Sequence, residues 1–478
     1  MTEKESMVIF SGIDAEKLDR KIVDIFGDLT IDKKLVRELR IRESRTIPGF
    51  VEEWLVSRFY TAGKEVTQVY QDITDFMYKH LPNKTEKELI KKRILDGDNV
   101  VLLDKFTARI DLGKGLGLVT IPSLDESNAY IDEAVLEAHQ NLLSGGQWGA
   151  GRLRKRVEKN NRNVIELVEF NPMQSGRVNL DKIIEARQQF TTGEWIYLLV
   201  RTIGYEPSAY TARECHKLLL RVLPMVHKNI NMMELAPKGT GKSFLYNNLS
   251  RYTWINSGGG LSQAQLFRNQ TTREVGLLGK NDLLILDEGQ SITFRGADDV
   301  HAQFKGYLEA GSYSIGGHQV TSECGLMILA NIDIYNNQPK RDDYIYYLPE
   351  MFHDSALMDR FHGIIPGWEI PRFTTAHAAQ GIGIKADIFG EYLHQLRAVS
   401  TYTFPFGHSP HLDGDMRDKR AVERLCMALS KLLMLNPDDQ EYDTYIYQPA
   451  CELRERVCTQ LAAITPNEFL PRLRISRG

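Results

Sequence analysis

A glycine-rich turn that follows an apolar stretch limits what this chain can fold into more than any other feature. The stretch from Met232 to Ser243 reads Met-Met-Glu-Leu-Ala-Pro-Lys-Gly-Thr-Gly-Lys-Ser. Glycines in such a turn let the backbone curl so that successive N–H groups face phosphate oxygens, while the lysine adds positive charge and the serine hydroxyl suits Mg²⁺. The pattern predicts a strand, a phosphate-binding loop and a helix that begins near Gly241. The residues predicted to bind phosphate are Pro237, Lys238, Gly239, Thr240, Gly241, Lys242 and Ser243.

One position departs from the usual form of this loop. Where the first glycine of the loop normally stands, the chain has Ala236. A residue with a Cβ atom is tolerated there only at negative φ, as the end of a strand permits. We therefore expect Ala236 to close the strand that enters the loop.

Two acidic residues, Asp287 and Glu288, follow a second apolar run about 45 residues after Lys242. A continuous apolar strand such as Leu283–Leu284–Ile285–Leu286 is typical of a parallel sheet covered on both faces. Ligands of such sheets bind beyond the carboxyl ends of the strands. We expect Asp287 to hold Mg²⁺ through water, together with Ser243, and Glu288 to polarise an attacking water.

The next apolar run, Leu326–Ala330, ends in Asn331. An asparagine at that place is able to hydrogen-bond the attacking water or the γ-phosphate, the role called sensor 1, or simply to cap a turn. Before this run, Gly316-Gly317 lies between short β-prone segments within Ser312 to Ser322, which predicts a two-residue hairpin with His318 beside its tip.

Two arginines further along the chain are candidates for contacts with a nucleotide. Arg360 is either an ordinary surface arginine or an arginine finger that reaches the γ-phosphate of a neighbouring subunit. Arg420 opens a leucine-rich helix and is a candidate for the sensor-2 position.

The first 205 residues read as a mixed α/β region without a catalytic constellation, but with two basic segments. Lys33 to Arg45 carries six cations, and this face is either solvated or in contact with phosphates. The glycine-rich segment from Gly145 to Gly151, which contains Trp148, reads as a flexible loop. It leads into the densest basic run, formed by Arg152, Arg154, Lys155, Arg156, Lys159 and Arg162. That run suits the tracking of a nucleic-acid backbone, although a solvated strand explains it equally well. The candidate DNA-binding residues are Arg152, Arg154, Lys155, Arg156 and His318.

Composition sets outer limits. A chain of 478 residues with 42% hydrophobic and 26% charged residues predicts two or three globular domains. The net charge of −4 argues against a uniformly basic coat. The sequence lacks a signal-peptide pattern or a membrane-length apolar run, which predicts a cytoplasmic protein. The five scattered cysteines suggest neither a disulfide framework nor a zinc site.

Taken in order, these motifs resemble AAA+ ATPases of the pre-sensor-1 hairpin group, which includes the MCM helicases and Lon. The segments Ile230 to Ser243 and His353 to Pro371 are more closely similar to the BrxL family, the Lon-related ATPases of bacterial BREX phage-defence systems. The resemblance implies a homo-oligomeric ring, such as a hexamer, and leaves a stacked double ring open. It also implies binding of double-stranded DNA, restriction of bacteriophage, and other BREX proteins as candidate partners.

The chain departs from the longer members of this group in two ways. It ends at Gly478 without a recognisable Ser/Lys peptidase segment after Asp439, so we do not expect protease activity. The MCM helicases commonly carry a lysine at the hairpin tip, whereas this chain has Gly316-Gly317 beside His318. Strong electrostatic gripping of DNA by the hairpin is therefore not expected.

We predict an α/β fold with an AAA+ P-loop core, in which helices flank a parallel sheet. The predicted divisions are an N-terminal DNA-engaging region (1–205), an ATPase core (206–383), a helical lid (384–440) and a C-terminal helical tail (441–478). The predicted function is hydrolysis of ATP with Mg²⁺, coupled to binding of or translocation on DNA in phage defence. The alternatives are a protein remodeller, or a scaffold that hydrolyses ATP slowly.

Overall fold

The computed structural model describes most of the chain. The described residues are 12–40, 47–61, 63–83, 85–113, 115–143, 145–158, 160–174, 178–271, 273–400, 411–413, 415–436, 440–469 and 474–476. Within these ranges, the helices are either too short or too polar to cross a membrane.

A five-stranded parallel sheet forms the centre of the fold, as predicted. In chain order its strands are Asn231–Ala236, Thr253–Ser257, Leu283–Asp287, Gly325–Asn331 and Gly363–Pro366. Across the sheet they lie in the order 5-1-4-3-2, so the first strand sits between the fifth and the fourth.

The alternation of side chains explains why most residues of the central strands are apolar, with buried Glu234 as an exception. Met232 and Ile285 belong to one buried cluster, whereas Met233 and Leu284 belong to a second cluster. Successive side chains of a strand point to opposite faces, so a sheet that is covered on both faces favours apolar residues at most positions.

A closed five-stranded barrel lies earlier in the chain. Its strands are Val100–Asp111, Leu116–Ile121, Glu126–Ile131, Gln147–Val157 and Asn163–Pro172. They follow the order 1-2-3-5-4 around the barrel, and only the third and fifth strands pair in parallel. The helix Glu133–Ala138 connects the third strand with the fourth.

The barrel corrects the prediction of a flexible loop from Gly145 to Gly151, because most of this segment is strand. Gly149 and Gly151 lie on the strand Gln147–Val157, where an added Cβ atom would overlap the rings of Phe170 and Phe106. The glycines are therefore explained by close packing against aromatic rings inside the barrel.

The remaining elements are helices and short strand pairs. The α-helices are Ala15–Phe26, Lys33–Glu38, Gly49–Phe59, Val66–His80, Lys87–Asp96, Glu133–Ala138, Leu180–Arg187, Thr192–Thr202, Ala212–Leu220, Leu223–Val226, Lys242–Leu249, Gln263–Leu266, Ala297–Ala310, Ser355–Met358, Ala386–Ala398, Met416–Leu433 and Gln448–Ile464. The short strands pair as Thr30–Asp32 with Ile382–Ile384, Gly260–Ser262 with Thr293–Arg295, Ser312–Ile315 with His318–Thr321, Ile334–Tyr335 with Gln338–Pro339, and His411–Asp413 with Arg474–Ser476.

Several packing contacts join residues on either side of the predicted boundary at residue 205. Leu18 and Ile22 of the first helix lie in the same buried cluster as Leu245 and Leu425, and Thr30–Asp32 forms a sheet with Ile382–Ile384. The segment predicted as a helical tail also contains the strand Arg474–Ser476. The predicted domain boundaries stay predictions.

Candidate functional site

The predicted phosphate loop connects the first strand of the parallel sheet with the helix Lys242–Leu249. Ala236 is the last residue of the strand, so the alanine that replaces the usual glycine has an extended backbone. Gly239 and Gly241 have φ values of +87° and +78°, which favour glycine. The local geometry is therefore that of a loop curled between strand and helix.

The side chain of Lys242 lies inside this turn. Its Nζ atom donates hydrogen bonds to Oδ1 of Asn331 at 3.1 Å and to the carbonyl of Pro237 at 3.4 Å. Lys242 is only 7% exposed, and burial lowers the pKa of its ammonium group. Because both partners are neutral, the charge of Lys242 is available to an anion that enters the loop.

Asp287 and Asn331 lie at the same edge of the sheet as the loop, since both residues end parallel strands. Oδ1 of Asp287 accepts a hydrogen bond of 2.9 Å from the backbone N–H of Glu288. The backbone N–H of Asn331 donates to Oε1 of Gln290 at 3.0 Å. The structure thus brings the loop, one acid and the predicted sensor together.

Glu288 lies next to this group, but its carboxylate faces the second strand of the sheet. The residue is exposed and has a φ value of +52°. A Cβ atom added at Gly258, just beyond the second strand, would lie 3.2 Å from Oε2 of Glu288. The carboxylate has room to turn, because no neighbouring side chain buries it.

The donor set fits a magnesium ion that is held mainly by phosphate and water. Within the described residues there is no group of three or more histidine, cysteine or acidic side chains able to cage a metal. Mg²⁺ in nucleotide sites commonly takes only one or two protein ligands. Ser243, half-buried in the first turn of the loop helix, and Asp287 are the oxygen donors that meet this need.

A buried ion pair behind the loop was not predicted. Arg221 and Glu234 are both 0% exposed, and the guanidinium donates to the carboxylate at 3.0 and 2.6 Å. Arg221 also donates to the carbonyl of Thr240 at 3.3 Å, and Tyr205 donates to the carbonyl of Gly241 at 3.2 Å. Arg221 and Tyr205 therefore hold the backbone of the loop through its carbonyl groups. Glu234, an acid within a mostly apolar strand, was the feature of the sequence that pointed to a buried partner.

A cavity of about 170 Å³ adjoins the first turns of the loop helix and was also missed. Its lining includes Ile203 and the rings of Phe244 and Phe373, whose centroids are 6.4 Å apart. The N–H of Phe373 donates to the carbonyl of Gly239 at 2.9 Å, which ties this wall to the loop. Arg40 lies over the Phe244 ring at 5.7 Å. Charged side chains also line the cavity, so it suits a flat group with polar edges next to the loop.

Arg360 lies at the opposite edge of the sheet, because it precedes the start of the fifth strand. Its Nε atom pairs with Glu309 at 2.9 Å. Arg420 lies near the same edge, since Arg424 of its helix donates to the carbonyl of Asn229, just before the first strand. A six-residue strand spans roughly 20 Å, so the structure does not bring either candidate to the loop of its own chain.

The described part of the predicted basic run lies mainly on the barrel strand Gln147–Val157, and its arginines there form ion pairs. Arg154 and Arg156 donate to Glu166 at 2.8 and 2.6 Å, and Arg152 pairs with Glu169 at 2.7 Å. Lys155 donates to a backbone carbonyl, and Lys159 lies outside the described residues. Glu166 and Glu169, on the strand Asn163–Pro172, therefore offset part of the positive charge of this run.

The other basic segment is engaged in internal contacts as well. Lys33 pairs with buried Glu53 at 2.6 Å, and Arg40 pairs with Glu52 at 2.9 Å. Arg37 donates to the carbonyl of Ala378 at 3.2 Å. Arg42 and Arg45 of this segment lie outside the described residues.

The predicted hairpin is present and places His318 at its exposed tip. The strands Ser312–Ile315 and His318–Thr321 are antiparallel, and Gly316 and Gly317 occupy the turn with φ values of +59° and +78°. Tyr313 donates to the carbonyl of Phe267 at 2.9 Å, which anchors the base of the hairpin.

Comparison with known proteins covers nearly the whole chain. Residues 165–473 match the family described as "Lon-like protease BrxL-like, ATPase domain", and residues 24–154 match "BREX system Lon protease-like protein BrxL N-terminal". The Lon-like protease BrxL of Escherichia coli O9:H4 (strain HS) is 28% identical over 465 residues, which cover 95% of this chain and 66% of the relative. The Lon-like protease BrxL of Bacillus cereus (strain H3081.97) is 27% identical over 467 residues, with coverage of 95% and 68%. The chain thus spans about two thirds of the length of these relatives.

Proposed function

The chain belongs to the BrxL family of Lon-like proteins, and on that premise we propose that it is an AAA+ protein that binds and hydrolyses ATP. The observation that carries the proposal is the contact of Lys242 with Asn331 within a curled loop at the carboxyl edge of the sheet. The sheet order 5-1-4-3-2 and the cavity beside Phe244, which suits an adenine ring, support the same proposal.

Hydrolysis would proceed by attack of water on the γ-phosphate. Loop N–H groups and Lys242 would hold the phosphates, and Ser243 and Asp287 would hold Mg²⁺, which neutralises charge on the phosphate oxygens. Glu288 would accept a hydrogen bond from the attacking water once its exposed carboxylate turns towards the loop. Asn331 would align Lys242 and the water, while Arg221 and Glu234 keep the loop in shape.

We extend the proposal to a ring of identical subunits. Arg360 and Arg420 lie at the edge of the sheet opposite the loop, so each serves a nucleotide only if that nucleotide belongs to a neighbour. A head-to-tail ring supplies such a neighbour to every subunit. In that ring Arg360 would exchange Glu309 for a γ-phosphate as an arginine finger.

DNA is the proposed partner of the ring in BREX phage defence. The barrel supports this, because its strand order, its parallel contact between the third and fifth strands and its helix after the third strand are those of an OB-fold, which commonly binds nucleic acid. The ion pairs to Glu166 and Glu169 reduce the charge of the basic strand, so we expect moderate phosphate binding there.

Electron microscopy with and without duplex DNA and ATP tests the ring and its partner together. We expect closed rings that enclose DNA when both ligands are present. A protein that stays monomeric under all conditions and retains no duplex contradicts the ring and the DNA-binding proposals.

A triple variant tests the basic strand without leaving a buried carboxylate unpaired. Replacement of Arg154, Arg156 and Glu166 together by Gln removes both arginines along with their shared partner. We expect weaker duplex binding and a flatter dependence of affinity on salt, because fewer counterions are released. Lys91→Met, on the helix Lys87–Asp96, lowers the net charge by the same amount and is the control. An unchanged salt dependence in the triple variant excludes Arg154 and Arg156 as phosphate contacts.

A further inference from the structure

A second cavity, separate from the one beside the loop, lies where the barrel meets the parallel sheet. Its volume is about 200 Å³. The barrel contributes Lys105 and Trp148, and the end of the loop helix contributes Asn247. Arg251 comes just before the edge strand Thr253–Ser257, and Trp254 lies on that strand.

Lys105 brings a positive charge that the described residues do not balance. Its side chain is half-buried, and its ammonium group forms no hydrogen bond or ion pair within the described part of the chain. Burial and the neighbouring charge of Arg251 both lower the pKa of Lys105. An anion that reaches this partly buried ammonium group stabilises its charge.

Arg251 adds a second, incompletely satisfied cation to the same cavity. Its side chain is 5% exposed and pairs with Glu391 at 3.3 Å. Its Nη1 atom is nevertheless buried without a hydrogen-bond partner among the residues that the structure describes. The carbonyl end of the loop helix offsets only a small part of the charge, so within the described residues two cations face one carboxylate.

Flat aromatic rings complete the cavity. Trp148 lies directly opposite Lys105 on the neighbouring barrel strand. Trp254 is 45% exposed on the edge strand and opens the cavity to solvent. Indole rings beside guanidinium and ammonium groups match a ligand that carries a phosphate next to a planar base.

We propose that this cavity binds one nucleotide unit, with its phosphate on Lys105 and Arg251 and its base against Trp148 or Trp254. The unit is either a free nucleotide or an unpaired nucleotide of a DNA strand, since both present the same chemistry. Binding there is independent of the phosphate loop and joins the barrel to the far end of the loop helix.

Calorimetric titration of the full-length Lys242→Ala variant tests this site, because that change removes binding at the loop. Thymidine 5′-monophosphate, inorganic phosphate and a twelve-residue oligothymidylate are titrated separately. Lys105→Met in this background is expected to weaken binding roughly tenfold or more, and Lys105→Arg to restore much of it. Lys91→Met, which removes a lysine from outside the cavity, is the matched control.

The pattern of binding identifies the source of the nucleotide. Thymidine monophosphate that binds with dependence on Lys105 indicates a free nucleotide, whereas binding of the oligonucleotide alone indicates a DNA strand. Trp254→Ala provides a second variant at an exposed position. It is expected to weaken the binding of thymidine monophosphate and of the oligonucleotide more than the binding of inorganic phosphate. The proposal is overturned if none of the probes binds, or if Lys105→Met and Lys91→Met bind alike with unchanged thermal unfolding.

Discussion

Nζ of Lys242 lies 3.1 Å from Oδ1 of Asn331, although the two residues are 89 positions apart in the chain. The fourth strand of the sheet runs beside the first and pairs Asn331 with Ala236, the residue that enters the loop. This register places the amide within reach of the lysine. Asn331 therefore holds the buried ammonium group of the loop, which we propose binds a phosphate.

Removal of the amide is expected to lower turnover more than it lowers ATP affinity. In Asn331→Ala, the Lys242 side chain loses the partner that orients it, and a water or γ-phosphate contact disappears in the transition state. We expect kcat to fall roughly tenfold or more while the ATP Kd changes less than about threefold. Steady-state phosphate release and equilibrium ATP binding measure the two effects. Asn128→Ala, on the barrel, is the control, and an unchanged kcat in Asn331→Ala speaks against the role.

The buried pair beneath the loop is expected to matter far more for stability than an exposed pair on the barrel. Glu234→Gln leaves the charge of Arg221 buried without a counter-charge, which costs about 3–5 kcal/mol. Glu169→Gln breaks a pair whose side chains are 49% and 47% exposed, and such pairs contribute about 1 kcal/mol or less. Urea unfolding of both variants provides the comparison. Equal losses of stability would show that Glu234 is not the structural support proposed.

Glu52 is expected to make stability depend on pH in the weakly acidic range. Burial raises the pKa of Glu52 to about 7, against the opposing effect of Arg40. Between pH 4.5 and pH 7, the folded state therefore keeps a proton on Glu52 that the unfolded state, in which the pKa of Glu52 is near 4.5, has already released. This contribution is fully present below pH 4.5 and is lost as the pH rises through about 7, with a size on the order of 1–3 kcal/mol.

The variant Glu52→Gln isolates this effect, because glutamine resembles the protonated acid at every pH. The free energy of unfolding of the wild type, relative to Glu52→Gln, should fall between pH 5 and pH 8. Urea titrations of both proteins at the two pH values measure the difference. A difference that does not change with pH would mean that Glu52 titrates at its ordinary value.

Mixed rings test whether Arg360 acts on a neighbouring subunit. Arg360→Ala and Lys242→Ala proteins should each be inactive alone. In mixed rings, some interfaces pair an intact arginine with an intact loop, so part of the hydrolysis should return. Rings shown by mass to contain both variants, but without recovered activity, argue against a finger in trans.

The local part of the candidate site was predictable because the loop and the strand ends carry short-range signals. The apolar runs before Ala236, Asp287 and Asn331 indicated parallel strands, and parallel strands bring their carboxyl ends to one edge. Gly316-Gly317 identified the hairpin in the same way, from turn chemistry alone.

The remaining features depend on pairings between distant segments, which one sequence does not reveal. Glu166 pairs with Arg154 and Arg156 only because the two barrel strands lie side by side, so the sequence did not show that part of their charge is offset. Gly149 and Gly151 read as a flexible segment because the rings that they contact come from other strands. Glu234 appeared as one acid in a mostly apolar strand, and its partner Arg221 lies in the turn between the helices Ala212–Leu220 and Leu223–Val226.

ATP hydrolysis by the wild type, Lys242→Ala and Glu288→Gln, measured beside ATP binding by each protein, tests the central claim most directly. We predict Mg²⁺-dependent release of phosphate by the wild type. Lys242→Ala should lose ATP binding, and Glu288→Gln should bind ATP but release almost no phosphate, because an amide is a poor acceptor for the proton of the attacking water. Near-normal hydrolysis by either variant would contradict the claim that this loop and this acid form an ATPase site.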